Sequence, residues 1–475
     1  MTNTTSNIWS ISQRSALLCA CAAVLCGLPA FAQEDQGQSA GDPPVEKPAT
    51  TSALPDDDSP PAPAVAPDAD RFKRFDDLSL KGWAISYPKV ADTILADHGG
   101  VRDALADVGI GISPINTANF QYDFLQNDRG YDGPQLYNGQ DVTRTNTTIS
   151  FTATYDLGQI GIKGGQIATT LAIVDNSFPE VNGPKKIRIG RLHYYQSLFD
   201  GKVDFKLGYI DNTQEFLGIN VGGNLATGNL GPQATIPFQL GLSYGGFAAP
   251  GFNTRVKFGE HFYNKIGFQR SLPPGGATAE NRVNSGGFRF RPPGTGLLVI
   301  DEVGFNRPAA PGQKSMWVRG GGIYNTTKYP VFGGGQAENW AAFLAVDRQL
   351  TQPDSEKPFR GIYAGATVNY APPRQNLYTQ YYEARLYAVG MLKGRPFDLA
   401  SLVTTYNKYS PAGLRARTAP DQRNYAGTLA LIASYAYRVR AGIYLQPGLG
   451  VTMHPIYSSR FGTALNGYLS LVTLF

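Results

Sequence analysis

The chain closes on "LNGYLSLVTLF", Leu465 to Phe475. Leu465, Leu469, Leu471 and Phe475 share one parity, and Asn466, Tyr468 and Ser470 share the other. Side chains alternate across a strand with period two, so this run presents one apolar face and one polar face. A soluble sandwich would press the apolar face against a core, whereas a membrane barrel turns it toward lipid and the polar face toward a hydrated interior.

The same period recurs from about Gly109 onward. In "KVDFKLGYI", Val203, Phe205, Leu207 and Tyr209 oppose Lys202, Asp204 and Lys206. Comparable runs span 148–155, 166–174, 238–244, 286–291, 297–305, 315–325, 340–347, 362–370, 382–392, 399–408, 426–437, 439–453 and 461–475. Gly, Pro, Asn and Asp separate many of them. The composition agrees: 55 Gly, 33 Pro, 26 Tyr and 25 Phe with 17% charged residues suit strands and turns better than helices.

Length then separates the two architectures. A tilted membrane strand needs about nine to eleven residues, and several runs reach that, with Tyr and Phe near their ends where an interfacial girdle would sit. The expected fold is all-β, a transmembrane antiparallel β-barrel of about 16 strands, with a short N-terminal helical segment. An even strand number brings both ends of the barrel to one side, where the closing run pairs with the first strand and leaves no edge in hydrocarbon. A terminal Phe on such a strand resembles the signal read by the barrel assembly machinery, an expected partner alongside outer-membrane lipid.

Ahead of the barrel (109–475) the chain divides into three expected parts. Residues 1–32 read as a signal peptide: Arg14, the apolar "SALLCACAAVLCGL" and the small residues of "AFA" at Ala30–Ala32. All three cysteines fall inside it, so the mature chain is expected to carry no thiol. Residues 33–70 form an acidic, Pro-rich linker whose nine carboxylates face only Lys47, a net of −8, and which lacks the apolar surface to fold alone. With Arg14 also set aside, residues 71–475 carry +12, which the whole-chain net of +5 conceals. Residues 71–108 read as a helical lead-in: Val101, Leu105 and Val108 stand at helical spacing, weakened by Gly99 and Gly100. His98 has no partner at metal-binding spacing, and neither a metal nor a cofactor is expected.

Several stretches resemble the carbohydrate-selective porin family, the OprB type. They are "TTISFTATYDLGQIG", "RLHYYQSLFDGKVDFKLGYIDNTQEF", "NSGGFRFRPPGTGLLVIDEVGFN", "VRGGGIYNTT", "PFRGIYAGATVNY", "GRPFDLASLVTTYNKYS" and "AGIYLQPGLGVTMHP", in the order that family uses and over most of residues 100–475. "HGGVRDALADVGI" resembles its helical lead-in. The resemblance implies a sixteen-stranded channel in the outer membrane of a Gram-negative bacterium, passing monosaccharides such as glucose, or other small polar solutes, by facilitated diffusion. It is not a catalytic signature. "LALIAS", Leu429–Ser434, departs from the polar lumen expected there.

A sugar channel needs polar groups to replace water around hydroxyls, and aromatic faces for the apolar side of the ring. Parity nominates the inward residues: Arg191, His193 and Tyr195 from "GRLHYY", Asp204 and Lys206 from "KVDFK", Arg289 and Arg291 from "FRFR", Glu302 from "LLVIDEVGF" and Arg319 from "WVRGGG". Glu302 also matches the family's glutamate in its "EVG" stretch. Turning Glu302 inward exposes Asp301, which then lies near an interface or marks a bulge. Each residue could equally be a hydrated wall group that shapes the lumen without choosing a solute.

Rival readings keep the barrel or abandon it. An anion- or phosphate-selective porin would use the +12 excess. A hydrolase barrel would need a convergent site that four scattered histidines do not suggest, and an anchoring barrel would work through the Pro-rich arm. Nucleic-acid binding finds no support, since the basic residues alternate with carboxylates through strands. The sequence leaves monomer and homotrimer both open.

Overall fold

The computed structural model describes residues 69–83, 87–127, 144–177, 187–213, 215–217, 235–418 and 422–475. The expected signal and nearly all of the expected linker lie outside the described residues.

The strands are β1 (Ile110–Asp123), β2 (Arg144–Asp156), β3 (Gly165–Asn176), β4 (Ile187–Leu198), β5 (Val203–Ile210), β6 (Ala249–Phe258), β7 (Phe262–Arg270) and β8 (Leu297–Arg307). The second half holds β9 (Met316–Pro330), β10 (Gln336–Gln349), β11 (Gly361–Tyr370), β12 (Tyr378–Val389), β13 (Leu399–Tyr409), β14 (Gly427–Arg440), β15 (Ile443–Met453) and β16 (Ala464–Leu474). Each pairs antiparallel with its sequence neighbours, and β1 closes the barrel on β16. Period-two side chains on a closed wall need no edge protection, because every strand has two partners.

The seam explains the final residues. The register runs from Ile115 opposite Leu474 to Asp123 opposite Asn466. The Phe475 N–H donates to the Pro114 carbonyl at 3.0 Å, and the Arg102 guanidinium donates to the Phe475 oxygen at 2.5 Å. Arg102 stands on a short helix, Val101–Asp107, that follows the helix Ala69–Asp77 and a 3₁₀ turn at Val90–Asp92.

Outward positions are apolar and exposed around the wall: Ile149, Leu171, Leu192, Leu207, Val256, Val303, Leu344, Leu386, Leu402, Leu431, Leu449 and Leu471 are all more than a third accessible. A soluble protein does not expose such a belt, and a lipid-facing wall requires it. Among the described residues no helix is long and apolar enough to cross a membrane, so the crossing is made by strands. Aromatic residues stand at both margins of the belt, Phe258, Phe262 and Phe305 on the rim shared with the chain termini and Tyr324, Trp340, Tyr370 and Tyr382 toward the other.

Two runs that alternate like strands are something else. Residues 238–244 belong to the β5–β6 connection, whose short helix Thr235–Gln239 turns back under the barrel wall, and 286–291 form an irregular loop before β8. Conversely β1, β4, β6 and β7 complete the wall where no separate run was marked.

Candidate functional site

Among the described residues, two of the segments that leave the wall narrow the interior beside the nominated residues. The first is the β5–β6 connection, described at residues 211–213, 215–217 and 235–248. Its Phe216, Leu217, Ile236, Leu240 and Leu242 pack with the inward residues Leu298, Ile300, Ile323, Ala341, Phe343 and Tyr381 of β8, β9, β10 and β12. Apolar inward residues are expensive in a wet lumen, and here they are covered by a loop that is itself apolar on that side. The Gln239 amide exchanges two hydrogen bonds with the Tyr378 backbone, both 2.9 Å. The Asn325 amide donates to the Leu240 carbonyl at 2.6 Å.

Glu302 and Arg319 clamp this loop. The Glu302 carboxylate accepts from the Leu217 N–H at 2.9 Å and from the Tyr263 hydroxyl at 2.8 Å, and Arg319 Nε donates to the Leu217 carbonyl at 2.7 Å. Leu217 has φ 71°, a left-handed conformation that a non-glycine residue adopts only when its surroundings hold it there. Arg319 also stacks on Trp317, 3.6 Å from its ring centroid, and reaches Asp347 at 3.2 Å.

The second segment is the chain before β1. The inward side chains Thr154 and Gln166 donate to the Leu78 carbonyl, Gln166 donates to that of Ser79, and Lys206 Nζ donates to that of Gly82 at 2.8 Å. Gly82 has φ 73°, and a Cβ there would sit 2.7 Å from the Tyr195 ring. Tyr87 donates to Thr152 at 3.0 Å, and burial pushes its phenol up, which keeps it a donor. The segment then crosses the rim to Asp92, which accepts from Arg438 at 2.9 Å and from Tyr444.

Arg191 and Lys206 touch both segments. Lys206 pairs with Glu215 of the β5–β6 connection at 2.5 Å while holding Gly82. Arg191 lies 3.6 Å from Asp211 at the start of that connection and 4.0 Å from the Trp83 ring centroid. His193 faces inward beside them, 3% exposed. Asp204, also inward, binds Arg255 at 2.5 Å.

Seven of the nine parity-nominated residues are thus gathered inside the wall. Arg289 and Arg291 are not: they sit exposed on the β7–β8 loop, where the Arg289 guanidinium donates to the Val283 carbonyl at 3.2 Å. "FRFR" alternates without being a strand, and its Phe288 and Phe290 are 59% and 72% exposed. Sequence reading also missed residues. Arg188 is buried and inward, three positions before Arg191, because the ladder skips Gly190 in a bulge. Arg385 binds Asp347 at 2.7 Å through two nitrogens and Glu383 at 2.6 Å. The glycine inside a strand signalled the first, and parity from Trp340 and Tyr382 signalled the second.

Residues 129–467 match the model of the carbohydrate-selective porin, OprB family. The chain belongs to the OprB family. It is a carbohydrate channel of the Gram-negative outer membrane, as that family, the closed wall and the greasy belt require. Pseudomonas putida OprB in its high-pH structure shares the fold at 16% identity and TM-score 0.65, over 81% of this chain and 98% of that one. The low-pH structure of the same protein aligns at 14% identity and TM-score 0.51 with the same coverage. No curated protein matches the chain. The OprB match begins beyond both β1 and the Leu78–Tyr87 segment. Among the described residues no group of His, Cys, Asp and Glu is arranged to hold a metal.

Proposed function

We propose that this OprB-family channel passes monosaccharide-sized, uncharged polyols, glucose among them, through a lumen narrowed by the β5–β6 connection, and that Arg191, His193, Tyr195, Asp204 and Lys206 face the solute path. The observation that carries the reading is the pairing of interior charge. Arg191 with Asp211, Lys206 with Glu215, Arg255 with Asp204, and Arg319 and Arg385 with Asp347 set cations beside carboxylates. Paired groups offer donors and acceptors to hydroxyls without a large net field, which favours a neutral polyhydroxylated solute over an anion. The stacked Tyr363 and Tyr387, with ring centroids 4.9 Å apart on the inner wall, add apolar surface suited to a sugar ring.

Glu302 and Arg319 serve the path indirectly, by fixing the connection at Leu217. Transport needs weak binding and no chemistry, so no catalytic residue is assigned. Proteoliposome swelling in glucose, in larger oligosaccharides and in salts tests the reading. Rapid swelling in glucose that falls off with solute size is expected; swelling in salts alone would sink it.

A further inference from the structure

Leu78–Trp83 and Tyr87 lie outside the residues matched to the OprB family, yet they occupy the lumen against β2, β3, β4 and β5. Its Trp83 presses one face on Arg191, while the indole Nε1–H is buried with no hydrogen-bond partner. His193 stands two residues beyond Arg191 on the same inward face, roughly 7 Å along the strand. Both its ring nitrogens are buried and without a partner. A buried donor or acceptor left unsatisfied costs free energy, so such groups persist where something else completes them. Three unpartnered polar atoms flank a guanidinium whose own charge is met by Asp211. An indole N–H donates, and a neutral imidazole both donates and accepts, which is the complement of adjacent hydroxyls on a pyranose.

We infer that Leu78–Trp83 forms the half of the solute filter nearest the terminal rim, and that Trp83 Nε1 with the His193 imidazole binds hydroxyl groups of a neutral polyol there. The inference rests on the channel reading above and adds to it a site contributed by the N-terminal segment. Lys206 and Arg191 join this site to the β5–β6 connection, so the two halves act in series on one path.

The test uses the full mature channel in planar bilayers, with glucose as the blocking solute. Trp83→Phe keeps a ring on Arg191 and removes the N–H. It is expected to weaken glucose block about fivefold, the weight of one net hydrogen bond. His193→Ala is expected to lose a similar factor and His193→Gln, which retains a donor and an acceptor, to regain most of it. Should the parent itself show no glucose block, the channel reading fails and this inference with it. Should the parent be blocked while Trp83→Phe and His193→Ala titrate like the parent, the site alone is overturned. A second readout does not depend on losing the site. With Trp317 and Trp340 replaced by Phe, Trp83 becomes the reporting indole of the mature chain, and its emission must respond to glucose. Emission indifferent to glucose in a channel still blocked by it would equally overturn the site.

Discussion

The left-handed Leu217 shows how single residues set the bore. Its conformation is disfavoured by roughly 1–2 kcal/mol, and Glu302 and Arg319 grip its N–H and C=O from adjacent strands. Glu302→Ala strands the Leu217 N–H and the Tyr263 hydroxyl; a loss of about 2 kcal/mol in unfolding free energy is expected, with single-channel conductance rising as the connection loosens. Arg319→Ala should act in the same direction. Because both hold one residue, the double variant should cost less than the sum, and urea unfolding of the four proteins measures this directly. Additive losses at parental conductance would show that Leu217 is held by something else. Arg289→Ala provides the contrast: from an exposed loop it should leave both conductance and glucose block unchanged, and single-channel recordings that depart from the parent would place it back in the path.

Among elements, the β5–β6 connection and the strands it covers were the hardest to read. In residues 238–244, Phe238, Leu240, Leu242 and Tyr244 share a parity as a strand's outer face would, but period-two spacing cannot tell lipid from an inner wall as the surface being covered. The same ambiguity hid the inward Leu298 and Ile300 of β8 and explains Ala430 and Ile432 of "LALIAS", which are fully buried on the inner face of β14. Ile236→Asp places a charge in that covered cluster; the connection should undock, with conductance rising and glucose block lost while the barrel keeps its heat-modifiable migration. A parent-like block would mean that the cluster does not position the connection. Strand parity itself was legible wherever one face met lipid, as in β5, β8 and β16, and failed where a glycine bulge shifted it, as at Gly190. Asp301 is the instructive case: the ladders of β8 with β7 and β9 show no slip, so its carboxylate faces outward, accepting from the Asn264 amide at 2.6 Å. It lies between the level of Phe305 and that of Phe268 and Tyr324, where an acidic group costs on the order of 1 kcal/mol against hydrocarbon. Asp301→Asn retains an acceptor for Asn264 and should raise folding stability in vesicles by about that amount; a destabilised variant would indicate that the charge has a partner on the outer face.

At the scale of the whole molecule, the +12 excess from residue 71 onward suggests anion preference only if the charge acts on the path. Arg191, Lys206, Arg255 and Arg385 instead stand beside carboxylates inside the wall, while Arg282, Arg289 and Arg291 project from an outer loop into solvent. Such loop charges are screened within about 10 Å at 0.1 M salt. Reversal potentials across a salt gradient should therefore stay close to the unselective value, and raising ionic strength should remove what preference remains. Selectivity ought to emerge only when a pair is broken inside the wall. Lys206→Met leaves the Glu215 carboxylate without its cation and frees the Gly82 carbonyl, so it should turn the channel toward cations and raise its conductance, as the N-terminal segment loses one of its ties. Glu215→Gln should move the reversal potential the opposite way while keeping a hydrogen bond to Lys206. A parent channel strongly selective for anions, or two variants that shift the potential in the same direction, would mean that fixed charge on the path is unbalanced and that a neutral solute is not what the lumen is built to pass.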